Sequence, residues 1–389
     1  MTLHRTGRLL LAVWLGALSH LLIAADDAVS RTADGGQQSV RDGVTVLSLI
    51  GDPATLGRQA GELLAPQTQV MLTALSLHPA MTGMLRAGDA DPRITAIPPE
   101  YRDEITAWAK SATCDVGKLL RANLAVDVLC TAVVRLPDAA ANRPLMIARN
   151  MDFAPAQLLG PRTVLIARRP TGRRASVSIG WPGYVGIVSG MNDAGVSACL
   201  LLNHAAAPNT SGNSLGFRLR AILDQAGSLQ EALALFSATP TGSSNYVLLA
   251  DATSAAVVWW SGDEVQRMDA KDGWVLCTNA RIDPDTHQPL DARGKHVHHL
   301  TGENRNPDIA WMKGVLSASY MPGINAQAMV LVPATRTVHL ALFDGKAAAL
   351  SAWHAFDGAA LMAGAALDQV NVTTGKAIAE PFPHYAEAH

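Results

Sequence analysis

Apolar and polar positions alternate from Val44 to Ile50 closely enough to predict a strand. Thr55 then opens a helix running through Met71, with Leu56, Ala60, Leu63 and Leu64 on one face. Gly57 and Gly61 stand four apart on that helix. Glycine costs helix stability, so the pair predicts close packing against another backbone. A second helix starts at Pro98-Pro99 and carries Ile105, Trp108 and Ala109. Asp115 is placed to cap a third, over Leu119 to about Asp127. The first 129 residues therefore read as mainly helical.

The pattern changes at Cys130. Strands are predicted at Thr131–Arg135, Leu145–Ala148, Thr163–Arg168, Ala175–Ile179, Val185–Ser189 and Ser197–Leu202. Turns at Pro137-Asp138 and at Asn192-Asp193-Ala194-Gly195 fit the gaps. Helices follow at Phe217–Ala226 and Leu229–Ser237, the second capped by Ser228. Further strands are predicted at Tyr246–Ala250, Ala255–Trp260, Trp274–Thr278, Met329–Val332 and Val338–Ala341. Strands, a helical pair, then strands again imply an α+β domain of two antiparallel sheets with helices outside.

The first 25 residues look like an export signal rather than fold. His4, Arg5 and Arg8 precede an apolar run from Leu9 to Ala24, and small Ala24 and Ala25 come before Asp26 and Asp27. The run is short for a membrane anchor, so the mature protein is expected to be soluble, periplasmic or secreted, with no stable membrane insertion. Residues 26–42, with Gly35, Gly36, Gln37 and Gln38, read as a flexible leader. A helical segment is expected over 43–129 and a catalytic domain over 130–389. A net charge of -2 argues against nucleic acid as a partner.

Four cysteines in 389 residues are too few for a disulfide framework, and none forms a C-x-x-C motif. Cys199 and Cys277 lie in apolar runs and read as small core residues. Cys130 opens a strand as Cys130-Thr131-Ala132. A thiol there is a candidate nucleophile, and a cut before it would free an α-amine of pKa about 7.7–8.0. One residue would then supply both nucleophile and base. Downstream, Arg149 and Asp152 stand three apart in Arg149-Asn150-Met151-Asp152. They are expected near one another, the cation favouring thiolate and the anion orienting the ammonium. Asn203 and Asn279 each follow an apolar strand, where an amide N–H can meet a developing oxyanion.

The order Cys-Thr, Arg-Asn-Met-Asp, Met191-Asn192-x-x-Gly195, Asn203 and Thr278-Asn279 resembles the isopenicillin-N acyltransferases, peptidase family C45. It is similar, more distantly, to choloylglycine hydrolases and acid ceramidases. Leu56-Gly57-Arg58-Gln59-Ala60-Gly61 and Leu120-Arg121-Ala122-Asn123 resemble that family's pro-segment. Ser228 to Ala232 and Ser244 to Asp251 resemble the middle of its domain. The resemblance implies a four-layer αββα N-terminal-nucleophile fold and self-cleavage between Leu129 and Cys130, into two chains that stay associated. It also implies amide-bond chemistry on a small N-acyl amide, without a cofactor. It makes Cys130 the nucleophile, with Arg149 and Asp152 tuning and holding it. Asn203 and Asn279 supply oxyanion contacts, with His204 or a main-chain N–H as the alternative to Asn203. The family's late arginine follows a Ser-Ser pair; here Arg293, in Asp291-Ala292-Arg293-Gly294, stands in its place.

Two other readings follow from the residues. His287, His296, His298 and His299 cluster, and on a strand two of them would share a face and could bind zinc for a metal hydrolase. Alternatively the chain is an exported binding protein that keeps the fold without the chemistry. A papain-like protease is excluded by the context of Cys130.

Overall fold

The computed structural model describes residues 30–77, 92–124, 129–203, 214–241, 243–283, 286–303 and 306–387. The expected signal segment lies outside them, as does His204. Strands β1 (Arg31–Ala33), β2 (Gly36–Arg41) and β3 (Val44–Gly51) lead into helices α1 (Pro53–Leu63), α2 (Ala65–Leu77), α3 (Pro92–Thr95), α4 (Pro99–Ser111) and α5 (Val116–Ala122). Then come β4 (Leu129–Arg135), β5 (Met146–Asp152), α6 (Ala156–Leu159), β6 (Val164–Pro170), β7 (Ser176–Gly180), β8 (Ser189–Asn192) and β9 (Ser197–Leu201). A helical pair, α7 (Leu215–Gln225) and α8 (Leu229–Ser237), precedes β10 (Tyr246–Ala250), β11 (Ala255–Ser261), β12 (Glu264–Asp269) and β13 (Trp274–Cys277). The remainder is α9 (Ala292–Glu303), α10 (Ile309–Ser319), β14 (Asn325–Val332), β15 (Thr337–Leu342), β16 (Trp353–Asp357), α11 (Gly358–Ala363) and β17 (Val372–Thr374).

The strands form a ten-stranded sheet, β1-β2-β3-β6-β7-β8-β9-β10-β11-β12, and a seven-stranded sheet, β13-β4-β5-β14-β15-β16-β17. Pairing is antiparallel except for β3 beside β6. The period-2 alternation of side chains sorts residues into layers. Val44, Val46, Leu165 and Ala167 of the larger sheet meet Cys130, Ala132, Val134, Ile147 and Met151 of the smaller one in a common core. Leu47, Leu49, Val164 and Ile166 instead pack on Leu56, Ala60, Ile105, Trp108 and Leu119 of the N-terminal helices. Val133, Met146, Ala148, Ala328 and Val330 meet Val297, Met312 and Leu316 of α9 and α10. The result is αββα layering, as the resemblance implied.

Local expectations fare unevenly. Ser228 caps α8 by accepting from the Glu231 N–H, and Asp115 caps α5 by accepting from the Lys118 N–H. The helix expected over 55–71 is two helices meeting at Leu64, because Pro66 has no N–H for the carbonyl of Glu62. The strand expected at Val185–Ser189 begins only at Ser189. Before it, Val185 donates its N–H to the Asn123 side chain and Ile187 donates to the Gly216 carbonyl, so neither joins a ladder. The leader expected over 26–42 is, over 31–41, the β1–β2 hairpin. Asp34 and Gly35 both take positive φ in its turn, the geometry a two-residue hairpin needs. The mainly helical segment expected over 43–129 also carries β3, which pairs with β6 in the larger sheet.

Buried charges tie that segment down. Glu104 of α4 lies 3.2 Å from Arg220 and 3.7 Å from Arg168, while Arg220 pairs with Asp224 at 3.0 Å. Tyr101 donates to Asp224 at 3.1 Å. Removing one member of such a set strands the others without solvent, which is what makes buried ion pairs costly to break.

Gly57 and Gly61 pack as expected. A Cβ at Gly57 would lie 2.1 Å from the Glu104 carbonyl oxygen, and one at Gly61 2.4 Å from that of Trp108. Gly57→Ala is therefore expected to cost about 1–3 kcal/mol by overpacking, read as a lower urea midpoint. Gly302→Ala in α9, where a Cβ would meet nothing within 4 Å, is expected to be neutral or to stabilise by up to about 1 kcal/mol. Equal midpoints for the two variants would contradict the close α1–α4 approach.

Candidate active site

Cys130 is the second residue of β4 and its side chain faces the space between the sheets, where it is fully buried. Arg149 lies on the adjacent strand β5 and projects to the same side. Its Nη2 donates to Cys130 Sγ at 2.9 Å and to the Leu200 carbonyl at 2.6 Å. Its Nη1 donates to the Val188 carbonyl and the Ser189 hydroxyl. The cation thus starts in the smaller sheet and ends in the larger. Among the described residues it has no carboxylate within ion-pair distance.

Asp152 lies near enough for the Arg149 charge to favour its ionised form, as expected of neighbours, but it does not pair with Arg149. The β5 strand continues to Asp152, further than expected, and residues three apart on a strand point to opposite faces. Asp152 therefore faces α9 and α10. Its carboxylate pairs with Arg293 at 3.3 Å and accepts from Asn325 Nδ2 at 2.8 Å and from the Met321 N–H at 3.2 Å. Arg293 is in the site even without the Ser-Ser pair. Its Nη2 donates to Asn279 Oδ1 at 2.8 Å.

Asn279 follows β13, the neighbour of β4 at the edge of the smaller sheet. The same Oδ1 accepts from the Cys130 N–H at 2.8 Å, and Nδ2 donates to the Leu202 carbonyl at 2.8 Å. Two donors on one atom fix the amide with its oxygen toward Cys130. Asn279 thus holds the nitrogen of Cys130 through its oxygen, while the oxyanion contact expected of it concerns its Nδ2. A continuous line runs from Asp152 through Arg293 and Asn279 to that nitrogen. Asn203 is close by in the chain, but its N–H donates to Asn245 Oδ1 at 3.0 Å and its Nδ2 to the Ser244 carbonyl at 3.1 Å.

Burial pushes the Cys130 thiol up, while the Arg149 guanidinium pulls it back. Burial works against the Arg149 charge, but the Cys130 and Cys199 thiols beside it offset this and hold it protonated. Burial raises Asp152 from 3.8 to about 6, opposed by Arg293, Asn325 and Met321. Cys199 and Cys277 are core residues as expected, yet Cys199 also sits at Arg149.

The histidines do not converge. They fall on helix α9 or beside it, not on a strand. His296 meets the Pro383 carbonyl, His298 meets Gln288, and His299 pairs with Glu303. Among the described residues no cluster of His, Cys, Asp or Glu could hold a metal ion. An apolar cavity of about 50 Å³ lies between Met71, Leu72 and Leu75 of α2 and Leu119 of α5 on one side and Phe153, Trp181 and Val188 on the other. Two of its lining residues adjoin the site: Phe153 follows Asp152, and Val188 supplies a carbonyl to Arg149.

Asn325 and Ser189 were missed from the sequence. Asn325 left one trace, a polar residue opening an otherwise apolar run, two before Gln327. Ser189 left none.

These features define a layered αββα protein with a buried cysteine–arginine pair between its sheets. The family model described as acyl-coenzyme A:6-aminopenicillanic acid acyl-transferase matches residues 139–305. The chain therefore resembles that family over less than half its length, beginning just after Cys130. No curated protein matches the chain. Among solved structures, a Caenorhabditis elegans ortholog of N-acylethanolamine-hydrolyzing acid amidase is 20% identical with a TM-score of 0.45, covering 52% of this chain and 93% of that one. Penicillin V acylase from Agrobacterium tumefaciens is 17% identical with a TM-score of 0.41, covering 66% and 99%. A mutant of conjugated bile acid hydrolase from Clostridium perfringens is 12% identical with a TM-score of 0.42, covering 63% and 96%.

The raised value of Asp152 has a definite sign in stability. A carboxyl whose folded value lies above its unfolded one stabilises the folded state at low pH and loses that contribution as pH rises through about 6. The unfolding free energy of the wild type relative to Asp152→Asn is therefore expected to be about 1–3 kcal/mol larger at pH 4 than at pH 7. Urea melts at the two pH values measure it, and an unchanged difference contradicts a carboxyl whose burial outweighs the pull of Arg293.

Proposed function

We propose that this chain is a cysteine amidohydrolase or acyltransferase of the N-terminal-nucleophile kind, exported and released as an active enzyme by a cut between Leu129 and Cys130. The observation that carries the reading is the pair of separate environments around one residue. The sulfur of Cys130 lies on Arg149, and its nitrogen lies on Asn279, backed by Arg293 and Asp152.

Before the cut that nitrogen is an amide and cannot act as a base. Thiol activation then depends on Arg149, a fixed cation that favours thiolate. Attack of the sulfur on the Leu129 carbonyl breaks the C–N bond, the nitrogen takes a proton, and water resolves the thioester. Afterwards the freed amine stays on Asn279 Oδ1, poised beside its own thiol. It accepts the thiol proton, the thiolate attacks the substrate carbonyl, and the ammonium returns the proton to the leaving amine. Water, or an accepting amine, then resolves the acyl-enzyme. Nδ2 of Asn279 has a second hydrogen beyond the one given to Leu202, and with Asn203 it is the assigned oxyanion contact.

The substrate is a small N-acyl amide; its acyl end is placed at the apolar cavity beside Phe153 and Val188, whose size admits only a short group. The two chains remain together, because β3 sits inside the larger sheet and Glu104 is enclosed by arginines of the second chain. No cofactor enters the chemistry.

Intact mass of the purified protein is expected to show two co-eluting fragments divided at Leu129/Cys130, and one undivided chain for Cys130→Ala. Hydrolysis of N-acyl amides should fall to background in that variant. An undivided wild type together with an active Cys130→Ala enzyme would sink the reading; an undivided and inactive protein would favour a binding role.

A further inference from the structure

We infer that Ser189 is a positioning residue for the nucleophile: its hydroxyl fixes one arm of Arg149 so that the other arm rests on Cys130 Sγ. The inference rests on the reading of Cys130 as nucleophile and goes beyond it, since Ser189 touches neither the sulfur nor any reacting atom.

The case is geometric. Arg149 leaves the smaller sheet and is gripped by the larger one at Val188, Ser189 and Leu200. Those three residues lie on or next to β8 and β9, which pair so that Ser189 stands opposite Cys199. Two of the grips are main-chain carbonyls, which any side chain would leave in place. The Val188 carbonyl is also shared, because it accepts the Leu200 N–H at 2.9 Å. The hydroxyl of Ser189 is the side-chain oxygen among the acceptors. The remaining side-chain neighbour from that sheet is the sulfur of Cys199, a weak acceptor. A guanidinium is a rigid fork, so fixing Nη1 fixes the direction of Nη2. Without the hydroxyl, the fork can turn toward the main-chain carbonyls or Cys199 and away from Cys130.

The charged and titratable groups facing Cys130 are Arg149 and Asp152 from β5, Arg293 from α9, Cys199 from β9 and Cys277 from β13. Ser189 acts on the first of these and leaves the rest in place.

The test is the pH profile of Cys130 alkylation by iodoacetamide, followed by peptide mass on the purified protein. In Ser189→Ala the midpoint should move to higher pH, and labelling at pH 7 should slow roughly threefold to tenfold, as expected when a thiolate loses part of its cationic partner. Ser178→Ala is the control. It removes another buried hydroxyl of the same sheet, one that serves Arg168 at 2.6 Å, and should leave the midpoint where it is. Ser189→Cys, close in volume and a weaker acceptor, should shift it in the same direction by less, and keeps the test open if the alanine variant fails to fold. Equal shifts in Ser189→Ala and Ser178→Ala, or no shift in either Ser189 variant, overturn the role of Ser189 while leaving the nucleophile intact. A wild-type Cys130 that labels at no pH overturns the nucleophile reading and this inference with it.

Discussion

A fully buried arginine that has no carboxylate within ion-pair distance among the described residues is the constraint on which the site depends. Moving a cation out of water costs several kcal/mol unless its charge and donors are answered. Arg149 is answered by carbonyls, a hydroxyl and two thiols. The neutral groups take hydrogens from both Nη atoms and, among the described residues, leave Nε without a partner. The group in direct contact that can answer the charge is the Cys130 sulfur as thiolate. The energetic debt of burying Arg149 thereby works toward ionised Cys130, while the cysteine's own burial is the larger effect and leaves the thiol raised. The sandwich supports this because both sheets contribute: the smaller carries Arg149 and Cys130, and the larger supplies the acceptors that hold the cation across the gap.

A second consequence comes from the pleat. Alternation sends Arg149 inward and Asp152 outward, so the two charges of one strand serve different atoms of the same cysteine. Arg149 reaches the sulfur from within the sandwich. Asp152 reaches the nitrogen by the outer route, through Arg293 and Asn279. Keeping these charges apart prevents them from neutralising each other, which a direct ion pair would have done. The outer helices matter here as well, since α9 carries Arg293 and the turn after α10 supplies the Met321 N–H. The N-terminal helices sit on the larger sheet, with Gly57 and Gly61 letting α4 approach closely enough to bring Glu104 to Arg168 and Arg220.

Much of the fold was legible along the chain because it rests on local signals. Alternation located most of the strands, and Ser228 and Asp115 marked helix starts through their capping oxygens. The strands that escaped are instructive. β16 and β17 have mixed faces at the margin of the smaller sheet, and β12 is an exposed edge of the larger one. The β1–β2 hairpin is polar enough to pass for a leader. Only pairing with β3 makes it a strand, and pairing leaves no mark in one strand's own composition.

The sequence by itself determined which residues were worth gathering. Cys130, Arg149, Asp152, Asn279 and Arg293 could all be named from residue type, order and resemblance, because thiol, guanidinium, carboxylate and amide chemistry belong to the side chain wherever it sits. Only the tertiary structure decided how they divide the work. It parted Arg149 from Asp152, turned the oxygen of Asn279 toward the nitrogen of Cys130, and brought Ser189 across from the other sheet. Those outcomes depend on which face each strand buries and on which strands meet across the sandwich. Alternation along β5 parts Arg149 from Asp152 once the strand is known to reach Asp152, but which face is buried and which strands meet are set by contacts between residues far apart in the chain.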